Sequence, residues 1–157
     1  MPRKNKKLPR HLLVIRTSAM GDVAMLPHAL RALKEAYPEV KVTVATKSLF
    51  HPFFEGLDVG FLDIETRRTH RGIRGAIRFA REAAELKIDA VADMHNVLRS
   101  KMVRAALHLR GIPVSVIHKG RIEKYMRLGR GSEGVKPLKH TVIRYCDVFR
   151  RLGFDFP

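Results

Sequence analysis

Short apolar runs rich in β-branched residues alternate with stretches of helical spacing from residue 11 to the end of the 157-residue chain. The runs are "HLLVIR" (11–16), "KVTVAT" (41–46), "VGFLDI" (59–64), "IDAVADM" (88–94) and "PVSVIH" (113–118). Helical spacing occupies "DVAMLPHALRALKEAY" (22–37), residues 72–87, "VLRSKMVRAALHL" (97–109) and residues 138–152, with a short helical turn at "SLFHPFFEG". A strand, a helix and a second strand of these lengths close as a βαβ unit with parallel strands. The chain therefore predicts an α/β fold, a Rossmann-like parallel sheet with helices on both faces. In the first helix Val23, Leu26, Leu30 and Leu33 share the core side. In residues 72–87 Ile73, Ile77, Ala80 and Ala84 are expected to face the core, with Arg71, Arg74, Arg78 and Arg81 on the opposite side.

Sheets of this kind bind ligands at the carboxyl ends of their strands, near the switch in strand order. "TSAMGD" follows the first strand, "DMHN" the fourth and "HKGR" the fifth, so the three should meet at one crevice. A single glycine in "SAMGD" is not a dinucleotide fingerprint, and without G-K-[ST] it is not a phosphate loop. Asp22 has two readings at this point: a helix N-cap, or a general base beside a substrate hydroxyl. Arg67 and Arg68, in the loop after the third strand, can grip an anion through their planar guanidinium groups. His95 and Asn96 either cap the following helix or contact a sugar hydroxyl. The histidines are scattered, and Asp89 and Asp93 are too far apart along a strand to chelate, so no metal site is expected. Cys146, the single cysteine, lies among Val142, Tyr145 and Phe149 and reads as an inert core thiol.

Charge narrows the partners. Thirty-one Lys and Arg against 15 Asp and Glu give a formal net charge of +16, which implies an anionic partner: nucleic acid, a membrane surface, or a phosphorylated or carboxylated substrate. One cysteine excludes an internal disulfide and fits a reducing compartment. "LLVI" is too short for a signal-peptide core, and no stretch has the length of a membrane span, so a soluble, cytoplasmic protein is expected. Residues 1–10, with five Lys and Arg, read as a flexible basic arm, and residues 11–157 as one domain. Basic strands interleaved with aromatic residues are absent, which argues against nucleic acid. A non-catalytic basic module for an anionic glycolipid is the alternative to an enzyme.

"LLVIRTSAMGDVAMLPHALRALKEAYPEVKVTVAT", "DAVADMHNVLRSKMV" and "KHTVIRYCDVF" together resemble the N-terminal half of bacterial lipopolysaccharide heptosyltransferases, glycosyltransferase family 9. "SAMGDV" is the most specific element, followed by the strand-four D-x-x-x-x-L-R-S and the H-x-V-x-R-Y helix start. The resemblance implies the N-terminal domain of a GT-B enzyme, which transfers heptose from ADP-heptose to the lipopolysaccharide inner core. It assigns Asp22 as the general base and Ser18, Met20 and Gly21 to the acceptor site. Arg67, Arg68, Arg71, His95 and Asn96, with Arg121 and Lys124 in the loop after the fifth strand, complete that site. The acceptor would be a lipid-linked anionic sugar of the lipid A–Kdo type, reached by peripheral contact with the inner face of the inner membrane. No cofactor is implied. The donor would be held mainly by a C-terminal GT-B half, supplied in cis or in trans, and the 157-residue chain alone is expected to be inactive. Against the family's usual pattern, "GDVAMLP" has one residue fewer between Asp22 and Pro27, and Asn96 stands where glycine is common.

Overall fold

The computed structural model describes residues 7–118 and 139–156. Five strands are present: β1 (His11–Ile15), β2 (Lys41–Thr46), β3 (Gly60–Asp63), β4 (Ala90–Asp93) and β5 (Val114–Val116). They form one all-parallel sheet in the order β3-β2-β1-β4-β5. The helices are α1 (Met20–Ala36), α2 (Gly72–Glu85), α3 (Leu98–His108) and α4 (Thr141–Arg151), with a 3-10 turn at Ser48–Phe54. This is the α/β architecture that the alternating pattern predicts. β1 lies at the centre, paired with β2 on one side and β4 on the other, and all five of its residues are buried. A strand covered on both faces is apolar without alternation, as Leu12–Ile15 are, and the buried His11 at its start lies 2.8 Å from Thr43 Oγ1 through its Nε2.

Two cores flank the sheet. Leu12, Val14, Val42 and Val44 point to one face and pack with Leu26, Leu30, Phe50, Tyr145 and Phe149 from α1, the 3-10 turn and α4. Leu13, Ile15 and Val91 point to the other and meet Phe79, Ala80, Val103 and Leu107 from α2 and α3. Cys146 is buried in the first core, and burial pushes its thiol pKa up, as an inert core thiol requires.

Three expectations need correction. First, α2 buries Gly75, Ala76, Phe79, Ala80 and Ala83, whereas Ile73 and Ile77 are 68% and 52% exposed. Phe79 supplies the bulk of the inward face, and Gly75 is required where the turn before the helix folds back on it: a Cβ there would come within 2.1 Å of the His70 carbonyl carbon. Arg71, Arg74, Arg78 and Arg81 are exposed, as expected. Second, α1 begins at Met20, and its N-cap is Ala19, which makes no side-chain cap bond. Asp22 therefore lies inside the first turn and is not the cap. Third, the end of the expected arm is packed. Pro9 is buried, Leu8 lies against the first core, and the Arg10 N–H donates to both carboxylate oxygens of Asp89 at 3.1 and 2.9 Å.

Candidate functional site

Strand-to-helix turns after β1, β2, β3 and β4 all open at one end of the sheet, because parallel strands put every carboxyl terminus there. The switch in strand order falls between β1 and β4. At that point Arg16 turns inward and is only 7% exposed. Its Nη2 donates to the Asp22 carboxylate and its Nη1 to the Met94 carbonyl oxygen. One guanidinium thus joins the end of β1, the first turn of α1 and the residue after β4. The backbone carbonyl of Asp22 accepts the Tyr145 hydroxyl at 2.9 Å, tying the same turn to α4. Burial pushes the Tyr145 pKa up to about 12, so the phenol remains a donor. Asp22 keeps 44% of its side chain exposed: its position is fixed and its outer face is open to a ligand.

Beside it, Thr17, Ser18, Lys47, Thr66, His70, His95, Arg99 and Ser100 line a cavity of about 130 Å³. Ile15, Ile64, Ala76, Phe79 and Val103 form the rest of its wall, and His70 and Ser100 are already hydrogen-bonded within the fold, so the cavity is half apolar, with the Lys47 and Arg99 cations among its lining. Lys47 and Thr66 also line a second, more open groove with Leu49, Arg67 and Arg68, so the two spaces adjoin. Gly21 faces open space, since a Cβ there would meet nothing within 4 Å, and Met20 beside it is 62% exposed. Arg71 precedes α2 as its N-cap residue and is exposed. Arg121 and Lys124 lie outside the described residues.

The loop after β4 differs from both readings of His95 and Asn96 as helix caps. Val97 caps α3, with its N–H donating to Ser100 Oγ at 2.9 Å. Asn96 has φ 48°, a left-handed conformation that asparagine tolerates better than most side chains. That explains how it fills a position where glycine is common in the family it resembles. Its Nδ2 donates to the Ile117 carbonyl at 3.3 Å and its Oδ1 accepts from Arg104 at 3.2 Å, so the side chain braces the loop. The His95 side chain, by contrast, lines the cavity.

Asp93 organises this loop, and sequence reasoning gave it no role. It is fully buried, its Oδ1 accepts the N–H groups of His95 and Asn96 at 2.9 and 2.8 Å, and its Oδ2 accepts Arg104 at 3.0 Å. Its place at the head of D-x-x-x-x-L-R-S was the available signal, as it was for Arg99 and Ser100. Lys47 and His70 carried no such signal. His70 is buried, its Nδ1 accepts the Glu65 N–H at 3.0 Å, and its Nε2 lies 2.9 Å from Glu82 Oε2. These bonds close the turn that carries Arg67 and Arg68. Among the described residues no group of three or more His, Cys, Asp or Glu could hold a metal ion.

No family model matches the chain, and no curated protein matches it. Solved structures do. A glycosyl transferase family 9 protein from Veillonella parvula superposes with a TM-score of 0.68 at 17% identity, over 92% of this chain and 42% of the other. E. coli heptosyltransferase WaaC with ADP gives 0.60 at 25% identity, over 94% and 49%. E. coli ADP-heptose lps heptosyltransferase II gives 0.59 at 20% identity, over 88% and 40%. The chain thus spans 40% to 49% of the length of these three structures. Its Rossmann-like sheet is the fold found within these glycosyltransferases.

Proposed function

We propose that this chain is the acceptor-binding lobe of a GT-B glycosyltransferase that moves heptose from ADP-heptose to the inner core of lipopolysaccharide. The observation that carries the reading is Asp22: a partly exposed carboxylate, held by buried Arg16, at the switch point of the sheet. In the proposed reaction the acceptor hydroxyl attacks the anomeric carbon of the donor sugar. A C–O bond to the acceptor forms, the bond to the diphosphate breaks, the hydroxyl proton passes to Asp22, and ADP leaves. A carboxylate is a weak base for an alcohol, so proton transfer lags cleavage, and placement of the hydroxyl supplies much of the rate. Lys47, Arg67, Arg68 and Arg99 would hold the carboxylates and phosphates of a lipid A–Kdo acceptor. His95, Thr17 and Ser18 would meet its hydroxyls. A C-terminal lobe, in cis or in trans, would hold ADP-heptose and stabilise the departing diphosphate, with the pair working at the cytoplasmic face of the membrane.

The test mixes the 157-residue chain with a donor lobe from a family 9 heptosyltransferase, radiolabelled ADP-heptose and Kdo–lipid A. Labelled glycolipid is expected from the pair and not from either piece alone. Glycolipid binding that is indifferent to Arg67→Ala and Arg68→Ala, or no product from the pair, would overturn the reading.

A further inference from the structure

Two buried polar atoms beside the Asp22 ion pair make no hydrogen bond among the described residues: Arg16 Nε and Thr46 Oγ1. The strand register sets these two residues side by side. Ile15 pairs with Ala45, and the Arg16 N–H donates to the Ala45 carbonyl at 3.1 Å, so the ladder runs one residue past β1. Arg16 therefore lies beside Thr46, on strands about 4.8 Å apart. Side chains alternate along a strand, so Arg16 continues the row of Leu12 and Val14, and Thr46 the row of Val42 and Val44. Both project to the face that α1 and α4 cover. Thr46 is fully buried, and its carbonyl accepts the Ile64 N–H at 2.9 Å, which pins the end of β2. A hydroxyl left bare in a core is a cost that valine would avoid.

We propose that Thr46 is a positioning residue for Asp22, acting through Arg16: its hydroxyl accepts the Arg16 Nε–H when Asp22 becomes neutral. The inference rests on the reading of Asp22 as the base, and adds what holds its counter-ion during the reaction. While Asp22 is a carboxylate, Arg16 commits Nη2 to it and Nη1 to the Met94 carbonyl. Once the acceptor's proton has passed to Asp22, the guanidinium keeps its charge but faces a neutral acid. Arg16 is only 7% exposed, and a buried cation without its counter-charge is costly unless further acceptors meet it. The Tyr145 hydroxyl is committed to the Asp22 carbonyl. Thr17, next along the chain, lines the cavity on the other face of the sheet. Thr46 Oγ1 is the neighbouring acceptor with no other duty. In the proposed step the guanidinium turns slightly and Nε–H meets it; the proton stays on Asp22, and Arg16 remains a cation. A contact made only after proton transfer favours the reaction and leaves binding alone.

Two substitutions separate this role from a structural one. Thr46→Val removes the hydroxyl and keeps the shape, whereas Thr46→Ser keeps the hydroxyl and removes a methyl. In the two-lobe transfer assay Thr46→Val is expected to lower kcat about tenfold or more, as loss of a hydrogen bond to a charged group does, with acceptor KM unchanged. Its melting temperature should hold or rise, because the resting hydroxyl has no partner to lose. Thr46→Ser should melt earlier and retain kcat. A structural hydroxyl would give the reverse for the valine variant: a lower melting temperature and a normal kcat. A second measurement needs no activity. Asp22→Asn leaves Arg16 facing a neutral group, as in the proposed step, and is melted in the 157-residue chain with and without Thr46→Val. If Thr46 takes up the Nε–H, Asp22→Asn should lower the melting temperature more in the Thr46→Val background. Equal losses in the two backgrounds, or a normal kcat in Thr46→Val, would each overturn the proposal. If the unsubstituted pair of lobes yields no labelled glycolipid, the heptosyl-transfer reading falls, and the melting comparison alone decides the role of Thr46.

Discussion

Arg16 and Asp22 form an ion pair in which the arginine is buried and the aspartate is not: their side chains are 8% and 44% exposed. The asymmetry assigns the roles. Arg16 is committed to the interior, where it also bonds the Met94 carbonyl, and so it sets where the Asp22 carboxylate stands. Lysine cannot span both partners from one nitrogen with the same geometry. Arg16→Lys is therefore expected to lower kcat in the two-lobe enzyme with little change in acceptor KM, and to reduce stability by about 1–3 kcal/mol. A normal kcat would mean that Asp22 needs no such positioning.

Asp22→Asn separates chemistry from packing. Ala19 is the cap of α1, so the substitution keeps the cap and removes the charge that pairs with Arg16 and complements the helix N-terminus. The expected loss in kcat is about 10²–10⁴-fold, the usual worth of a positioned base. A stability loss of about 1 kcal/mol is expected from the weakened pair, since half of it is open to solvent. Transfer assays and thermal melts on the same preparations measure both. Retained activity would place the base elsewhere.

The turn from Glu65 to His70 can be tested at both of its supports. His70→Asn places an oxygen near Nδ1 and can still accept the Glu65 N–H, whereas His70→Phe cannot. The asparagine variant should keep most affinity for an anionic glycolipid, and the phenylalanine variant should lose it in step with Arg67→Ala and Arg68→Ala. Gly75→Ala drives a methyl into the His70 backbone and is expected to cost about 2 kcal/mol or more. Equal binding by the two His70 variants would show that the turn's geometry does not matter to the arginines it carries.

Tyr145 predicts the alkaline limit of the fold. Its pKa rises from 10.0 to about 12, chiefly through burial, with Arg16 lowering it and Asp22 raising it. Above pH 10 the unfolded chain loses this proton while the folded chain keeps it, so stability falls as pH rises from about 10 to about 12. The shift corresponds to about 2–3 kcal/mol. Tyr145→Phe should be less stable near neutrality, because the Asp22 carbonyl loses its donor, and should show a shallower alkaline decline. Parallel slopes for the two proteins in urea melts across this range would contradict the assignment.

The order of strands and helices was legible because the two periods, apolar runs and helical spacing, differ plainly in segments such as "KVTVAT" and "ALRALKEAY". α2 was misread because two rows satisfy helical spacing. Ile73, Ile77, Ala80 and Ala84 form one, but Ala76, Phe79, Ala80 and Ala83 form the one that packs in the core, with a single large ring between alanines. Spacing alone does not say which of two rows faces inward. Asp22 was placed at the correct turn, but its relation to the helix start was off by two residues, which decided between cap and interior. Asp93, Lys47 and His70 escaped notice because their roles are relations across the fold: an acid bonding the loop behind it, a lysine shared by two grooves, and a histidine bracing a turn by reaching α2.

The central position of β1 also governs the order in which the chain can assemble during synthesis. Leu12 pairs with Val42 on one side but with Ala90 on the other. As the chain leaves the ribosome, β1 can join β2 early, yet its second edge stays bare until β4 has emerged. Arg16 shares that delay, since Met94, its partner beyond β4, arrives last among the groups that hold it. The crevice is therefore among the late features to form, and a pause in translation between these strands would leave a hydrophobic strand edge open to wrong pairings.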